Sequence, residues 1–88
     1  MIRYRVVFAR HAVKDAVKVK QAGLKENVEK LLGILKENPY QNPPPYEKLV
    51  GDLAGCYSRR INLQHRLVYA VYEEERVVKV LRMWTHYE

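Results

Sequence analysis

The sequence is poor in cysteine and lacks any long hydrophobic run. Its single cysteine, Cys56, excludes an internal disulfide and a thiolate metal cluster. No apolar stretch approaches the ~20 residues that a membrane-spanning helix needs. The first ten residues contain three arginines and have no apolar core of the kind that a signal peptide requires. From these absences we expect a soluble protein of the reducing cytoplasm.

Acidic residues are also scarce relative to basic ones. Ten Asp and Glu residues oppose 16 Lys and Arg residues, which gives a net charge of +6. Such an excess favours polyanionic partners, either nucleic acid or an acidic protein, and its alternative is simply a solvated basic surface. Hydrophobic residues make up 48% of the 88 positions and charged residues 30%. This composition predicts one globular domain that spans residues 1–88.

Two segments show the periodicity of helices. The first begins near Ala9 and is expected to end at Gly23, with Asp15 among its polar positions. Its apolar residues are Ala12, Val13, Ala16, Val17 and Val19. The second segment has a continuous apolar stripe that should face the core, and it ends at Asn38 and Pro39. The residues of that stripe are Leu24, Val28, Leu31, Leu32 and Leu35.

The remaining regular segments have the composition of β-strands. One lies in residues 1–8, two lie within Gly55–Val71, and one spans Arg76–Trp84. The proline-rich stretch Pro39–Pro45 can form neither a helix nor a central strand, so it is expected to be a stiff extended loop. The order strand, helix, helix, strand, strand, strand predicts an α+β fold. In that fold a two-helix hairpin packs on one face of a small, mostly antiparallel sheet, and the other face stays open.

The strand pair within Gly55–Val71 concentrates arginine. If its turn has three residues, Asn62 to Gln64, then Arg60 lies opposite Arg66. Like charges in that position repel, and an anion between them would relieve the repulsion. A turn of four residues would instead place Arg59 opposite Arg66. In either register the hairpin offers a cluster of cations.

Candidate catalytic groups are individually weak but together match metal-free RNA cleavage. Glu47 follows the proline-rich loop, and His86 and Tyr87 lie near the end of the chain. Such cleavage needs a group that takes the proton of the ribose 2′-OH, a group that protonates the departing oxygen, and cations for the phosphorane. Glu and His suit the proton transfers, and arginine suits the phosphate. His11 and His65 have no companions at metal-ligand spacing, so we expect no metal and no other cofactor.

The run SRRINLQHRLVYAV resembles the signature of the YoeB (Txe) toxins, which belong to the RelE group of bacterial mRNA interferases. The resemblance extends downstream to Arg82 and to the terminal His86 and Tyr87, and upstream to Leu49, Asp52, Leu53, Ala54 and Gly55. It implies a RelE-like fold and a ribosome-dependent endoribonuclease that cleaves message in the ribosomal A site. It also implies neutralisation by an acidic antitoxin of the YefM or Axe type, and it is compatible with a homodimer.

The resemblance also implies roles for individual residues. Glu47 resembles the general base and His86 the general acid, although the residues alone do not decide which is which. Arg66 resembles the arginine that grips the scissile phosphate, Arg60 a supporting cation, and Tyr87 the aromatic residue that orients the substrate.

Two further positions enter the expected RNA-binding set. Arg59 is included with Arg60 as a hairpin cation. Lys48 is included because the family often has a lysine three residues after the glutamate, where this sequence has Val50. Whether Lys48 replaces that charge is left open. A non-catalytic RNA- or DNA-binding module of the same fold, and a protein that binds an acidic partner through its basic face, are the alternatives.

Overall fold

The chain folds into one sheet and two helices within residues 3–86, which the computed structural model describes, the last two by their backbone alone. The helices are α1 (Arg10–Gln21) and α2 (Lys25–Glu37). The strands are β1 (Arg5–Phe8), β2 (Glu47–Lys48), β3 (Cys56–Arg60), β4 (His65–Tyr72) and β5 (Val77–His86). A short 3₁₀ turn, Gly51–Leu53, connects β2 to β3.

The sheet has the strand order β1-β5-β4-β3-β2. β1 is parallel to β5, and every other neighbouring pair is antiparallel. This arrangement confirms the predicted α+β fold with a mostly antiparallel sheet. The edge strand β2 was not predicted, because its two residues are too few to show an alternating pattern.

The first helix ends where the sequence predicts. Gly23 has a φ of +74°, a left-handed conformation that glycine adopts without steric cost. The N–H of Gly23 donates to Lys20 O at 3.1 Å, and the N–H of Leu24 donates to Val19 O at 3.0 Å. These two bonds form a Schellman motif, which satisfies the last carbonyl groups of α1 and turns the chain into α2.

The core lies between the helices and one face of the sheet. The predicted stripe of α2 is confirmed, because Val28, Leu31 and Leu35 are buried and its other members pack against them. The turn after β3 contributes Ile61, and the sheet contributes Leu67, Tyr69, Val78, Val80 and Met83. Residues that alternate with these along β3 and β4, among them Ser58 and Arg66, therefore lie on the opposite face.

Helix α1 differs from its sequence pattern. Ala12 and Val19 are buried as expected, but Val13 and Val17 are each 58% exposed. Asp15, which the pattern places on the polar side, is instead only 3% exposed. The pattern fails here because the chain presents a specific set of hydrogen-bond donors to the Asp15 carboxylate, and sequence periodicity does not register such donors.

Candidate active site

Three side chains from adjacent strands meet on the sheet face opposite the helices. Glu47 of β2 is paired with Ser58 of β3, and the next pair on that face joins Arg60 to Arg66 of β4. Arg66 donates from Nη2 to Glu47 Oε1 at 3.1 Å and from Nη1 to Ser58 Oγ at 3.1 Å. The Glu47 side chain is 57% exposed, whereas that of Arg66 is 14% exposed. A solvent-accessible proton acceptor thus lies beside a cation that the protein holds in place.

The hairpin between β3 and β4 has the three-residue turn, the first of the two alternatives that the sequence left open. Arg60 is paired with Arg66, and the N–H of Ile61 donates to His65 O at 2.9 Å. Asn62 explains the turn, because its Oδ1 accepts from the backbone N–H groups of Gln64 and His65 at 2.9 and 2.8 Å. Arg60 and Arg66 therefore lie at opposing positions, and they concentrate positive charge next to Glu47.

Arg59, which was expected among the RNA-binding cations, does not belong to this face. It is next to Arg60 in β3, so its side chain points to the helix side of the sheet, where it is 1% exposed. Its guanidinium donates to the carbonyl oxygens of Pro39, Gln41 and Pro44 at 2.9, 2.8 and 2.6 Å. Arg59 therefore holds the proline-rich loop in place.

An aromatic cluster completes the attachment of that loop. The Arg59 guanidinium lies 4.9 Å from the centroid of the Tyr46 ring, and Tyr46 in turn packs edge-on against Tyr57 at 5.7 Å. The Tyr69 hydroxyl donates to Pro39 O at 2.8 Å. Burial raises the pKa of Tyr69 in spite of the nearby Arg59 charge, so the hydroxyl keeps its proton. Because Tyr46 immediately precedes Glu47, this cluster fixes the point from which Glu47 enters the sheet.

Lys48 and Val50 are both exposed. Lys48 is paired with Tyr57, which lies on the helix side, so the register places Lys48 on the opposite side of the sheet from Glu47. The structure therefore does not bring Lys48 together with Glu47 and Arg66, although both residues of β2 were expected at the RNA site.

The last strand brings the expected acid near the hairpin. Thr85 of β5 is paired with Arg66, and His86 is paired with His65. The ring of Trp84 stacks on that of His65 with 3.8 Å between centroids. The backbone of His86 therefore lies beside the strand that carries Arg66. Tyr87 lies outside the described residues.

Ser58 is the site residue that sequence reasoning missed. It is 2% exposed and its hydroxyl accepts the Arg66 Nη1 bond, so it fixes one arm of the guanidinium. The alternation of side chains along a strand could have identified Ser58. Once Arg60 is paired with Arg66, the residue two positions before Arg60 must share their face.

Among the described residues no group of three or more His, Cys, Asp or Glu side chains is arranged to hold a metal ion. Cys56 is partly exposed, because its position in β3 is on the open face. None of the described helices is both long and apolar enough to span a membrane.

Comparison with known families gives a match over almost the whole chain. A family model described as the YoeB-like toxin of bacterial type II toxin–antitoxin systems matches residues 8–87. Toxin YoeB of Streptomyces coelicolor is 32% identical over 76 residues, which cover 84% of this chain and 90% of that protein.

Solved structures show the same architecture. The YoeB/ParE toxin from Agrobacterium tumefaciens has a TM-score of 0.84 at 29% identity, covering 94% of this chain and 99% of that one. YoeB from Staphylococcus aureus in complex with YefM has a TM-score of 0.78 at 32% identity, covering 97% of this chain and 99% of that one. The S. aureus protein is also known as a YoeB dimer, with a TM-score of 0.78 at 31% identity and the same coverage.

Proposed function

Since the chain belongs to the YoeB-like toxins of bacterial type II toxin–antitoxin systems, we propose that it is an endoribonuclease that cleaves messenger RNA on the ribosome. The observation that supports this most directly is the contact of Arg66 with both Glu47 and Ser58 on the open sheet face. Message and ribosomes are the substrate and platform in this proposal, and the cytoplasm is its compartment.

The proposed reaction is an attack of the ribose 2′-OH on the adjacent phosphorus. The 2′-O–P bond forms, the P–O5′ bond breaks, and the products are a 2′,3′-cyclic phosphate and a 5′-hydroxyl. Glu47 accepts the proton of the 2′-OH through a carboxylate oxygen. His86 donates a proton to the departing 5′-oxygen. Each transfer by a positioned group typically contributes ~10²–10⁴-fold in rate.

Arg66 is the residue that would stabilise the phosphorane. Its planar guanidinium can offer two N–H groups to two phosphate oxygens, and the Ser58 bond fixes its orientation before substrate arrives. The contact with Glu47 is then a resting arrangement, from which Arg66 exchanges the carboxylate for phosphate. Arg60 opposite Arg66 adds a second cation, and Tyr87 is proposed to orient the substrate.

The charges around Glu47 support a reaction in which no metal ion takes part. A two-metal nuclease holds two metal ions between several carboxylates. The ions generate hydroxide and stabilise both the attacking and the leaving oxygen. Here the Glu47 carboxylate contacts a guanidinium 3.1 Å away, and the neighbouring pair on that face is Arg60 and Arg66. Such surroundings repel divalent cations and favour the phosphate of the substrate itself.

A message with one 2′-deoxy nucleotide tests the mechanism. The substitution is placed immediately 5′ to the cleavage point in a message programmed on ribosomes, and we expect cleavage there to disappear. The matched control carries the deoxy nucleotide three positions upstream and should be cut normally, leaving a cyclic or 3′-phosphate. Chelation is a poor test because ribosomes need magnesium. Cleavage at the deoxy position would contradict attack by the 2′-OH, and no cleavage of the unmodified message would favour the non-catalytic alternative.

The proposed protein partner is an acidic antitoxin that covers the basic face. The net charge of +6 and the S. aureus YoeB–YefM complex support this proposal. An antitoxin segment that folds on binding would be steered by charge, so its affinity should weaken as salt screens the interaction. A titration of the cognate antitoxin from low to high salt measures this, and an affinity that stays constant would contradict charge steering.

A further inference from the structure

Strand β5 changes register twice just before it reaches the candidate site. Val68 of β4 is paired with Arg82, whereas Arg66 is paired with Thr85. Two steps along β4 therefore correspond to three steps along β5, and Met83 and Trp84 together lie opposite one residue of β4. This is the residue count of a β-bulge, in which an extra residue in one strand interrupts the ladder.

The bulge determines which residue of β5 is opposite Arg66. Continued regularly from the Val68–Arg82 pair, the ladder would place Trp84 opposite Arg66. The extra residue instead places Thr85 there and His86 opposite His65. The backbone positions of Thr85 and His86 along β4 therefore depend on the bulge.

Asp15 of helix α1 binds the backbone of this bulge. Its Oδ2 accepts from the N–H of Met83 at 3.0 Å, from the N–H of Trp84 at 3.2 Å and from Nε of Arg82 at 2.8 Å. Its side chain is 4% exposed. Consecutive N–H groups in a bulge cannot both continue the ladder, so buried ones need another acceptor. The Asp15 carboxylate supplies that acceptor from outside the sheet.

We propose that Asp15 is a positioning residue for RNA cleavage, which sets the register of the end of β5 and thereby the path of the backbone that carries Thr85 and His86 past Arg66 and His65. The proposal rests on the proposed function. Asp15 itself acts only through the backbone of Met83 and Trp84, and the stacking of Trp84 on His65 continues the fixed path toward His86. Small misplacements of a catalytic group are costly, since about 1 Å can reduce a rate ~10²-fold.

The test compares Asp15→Ala and Asp15→Asn with the wild-type toxin. Asp15→Ala removes the acceptor, so we expect the amide hydrogens of Met83 and Trp84 to exchange faster and kcat on ribosomes to fall ~10²-fold with little change in KM. Asp15→Asn keeps one carbonyl oxygen for the same amides, so both effects should be smaller. If Asp15→Ala does not fold, Asp15→Asn provides the same two measurements.

Leu31→Val is the control that distinguishes a loss of rate caused by lower stability from one caused by a misplaced β5. This change thins the core on α2, where Leu31 is 7% exposed, without touching the bulge. Per folded molecule, it should retain the wild-type kcat while Asp15→Ala does not. Full activity of a folded Asp15→Ala would overturn the positioning role alone, as would equal kcat losses in Asp15→Ala and Leu31→Val. A wild-type toxin that cleaves no message would overturn the proposed function too. Amide exchange at Met83 and Trp84 would still show whether Asp15 holds the bulge, because that measurement needs no activity.

Discussion

Arg59 and Arg66 belong to the same hairpin, yet their guanidinium groups have opposite surroundings. Arg59 is fully enclosed and donates to three carbonyl groups of the proline-rich loop, at 2.6–2.9 Å. Arg66 lies on the other face, where it contacts a largely exposed carboxylate and one hydroxyl. A carbonyl cage saturates a guanidinium, whereas an exposed carboxylate can be exchanged for phosphate. The first arrangement suits structure, and the second suits catalysis.

The two regions are also connected. The loop that Arg59 holds leads directly into Tyr46 and Glu47, and Glu47 is the carboxylate that Arg66 contacts. Arg59 thus helps to position Glu47, which is the carboxylate that contacts Arg66. The comparison predicts that changes at Arg66 affect rate, and that changes at Arg59 affect folding first.

The largest expected effect is on the rate, from Arg66→Ala. We expect kcat for message cleavage to fall by ~10²-fold or more, because the cation that stabilises the phosphorane is lost. The free energy of unfolding should change by only about 1 kcal/mol, since the lost hydrogen bonds are few. Arg66→Lys is the matched control, because it keeps the charge but not the planar fork, and it should recover part of the rate. Circular dichroism that shows unfolded Arg66→Ala would make Arg66 structural and contradict the comparison.

The next effect is on stability, from Arg59→Met. Methionine fills much of the same space but leaves the loop carbonyls without their donor, at about 1–3 kcal/mol for each buried group. We therefore expect the free energy of unfolding to fall by about 3 kcal/mol in urea denaturation. The kcat of the molecules that remain folded should fall less than that of Arg66→Ala. If Arg59→Met were as stable as the wild type, the proposed role of Arg59 in holding the loop would be wrong.

Much of this comparison was accessible from the sequence. The turn of three residues with the Arg60–Arg66 pair was one of the two registers that the sequence left open, and in that register the period of two along a strand requires Arg59 to face the other way. Sequence reasoning stopped before that step and grouped the hairpin arginines as RNA ligands. The same period, applied to β2, would have separated Lys48 from Glu47 once the pairing of β2 with β3 was known.

Other features could not be predicted. The acceptors of Arg59 are backbone carbonyls of a loop that is 15 to 20 residues distant in sequence, and backbone groups leave no trace in residue identity. The burial of Asp15 has the same origin, because two of its three donor groups are the N–H groups of a bulge that lies 68 and 69 residues away. Contacts between a side chain and irregular backbone that is distant in sequence therefore cannot be predicted from the sequence pattern.

A smaller effect is expected on the acid stability of the protein. Burial raises the pKa of Asp15, but the bonds from Arg82 and from the Met83 and Trp84 N–H groups outweigh it, so the pKa lies below the ordinary value of 3.8. A carboxyl group with a depressed folded-state pKa stabilises the protein above its unfolded-state pKa, and the stabilisation is lost as pH falls through the folded-state pKa. The free energy of unfolding should therefore decrease with acidification below pH 3.8 more steeply in the wild type than in Asp15→Asn. Equal slopes in urea titrations across that range would contradict the assignment.

The smallest effect separates Arg60 from Lys48, the two exposed cations that were both expected to bind RNA. Arg60 is opposite Arg66 on the candidate face, whereas Lys48 is at a register position on the other side. Binding is measured with single-stranded RNA that carries 2′-deoxy nucleotides and is not cleaved. Each lost phosphate contact on a single strand should reduce the slope of log K against log salt by about 0.7. We expect this reduction for Arg60→Ala and an unchanged slope for Lys48→Ala, since only Arg60 lies where the phosphate backbone would pass.

Because both changes remove one positive charge, a general effect of net charge would lower the two slopes equally. Equal reductions would mean that RNA does not distinguish the two faces of the sheet, and the division of the basic residues into a binding set and a structural set would have to be abandoned.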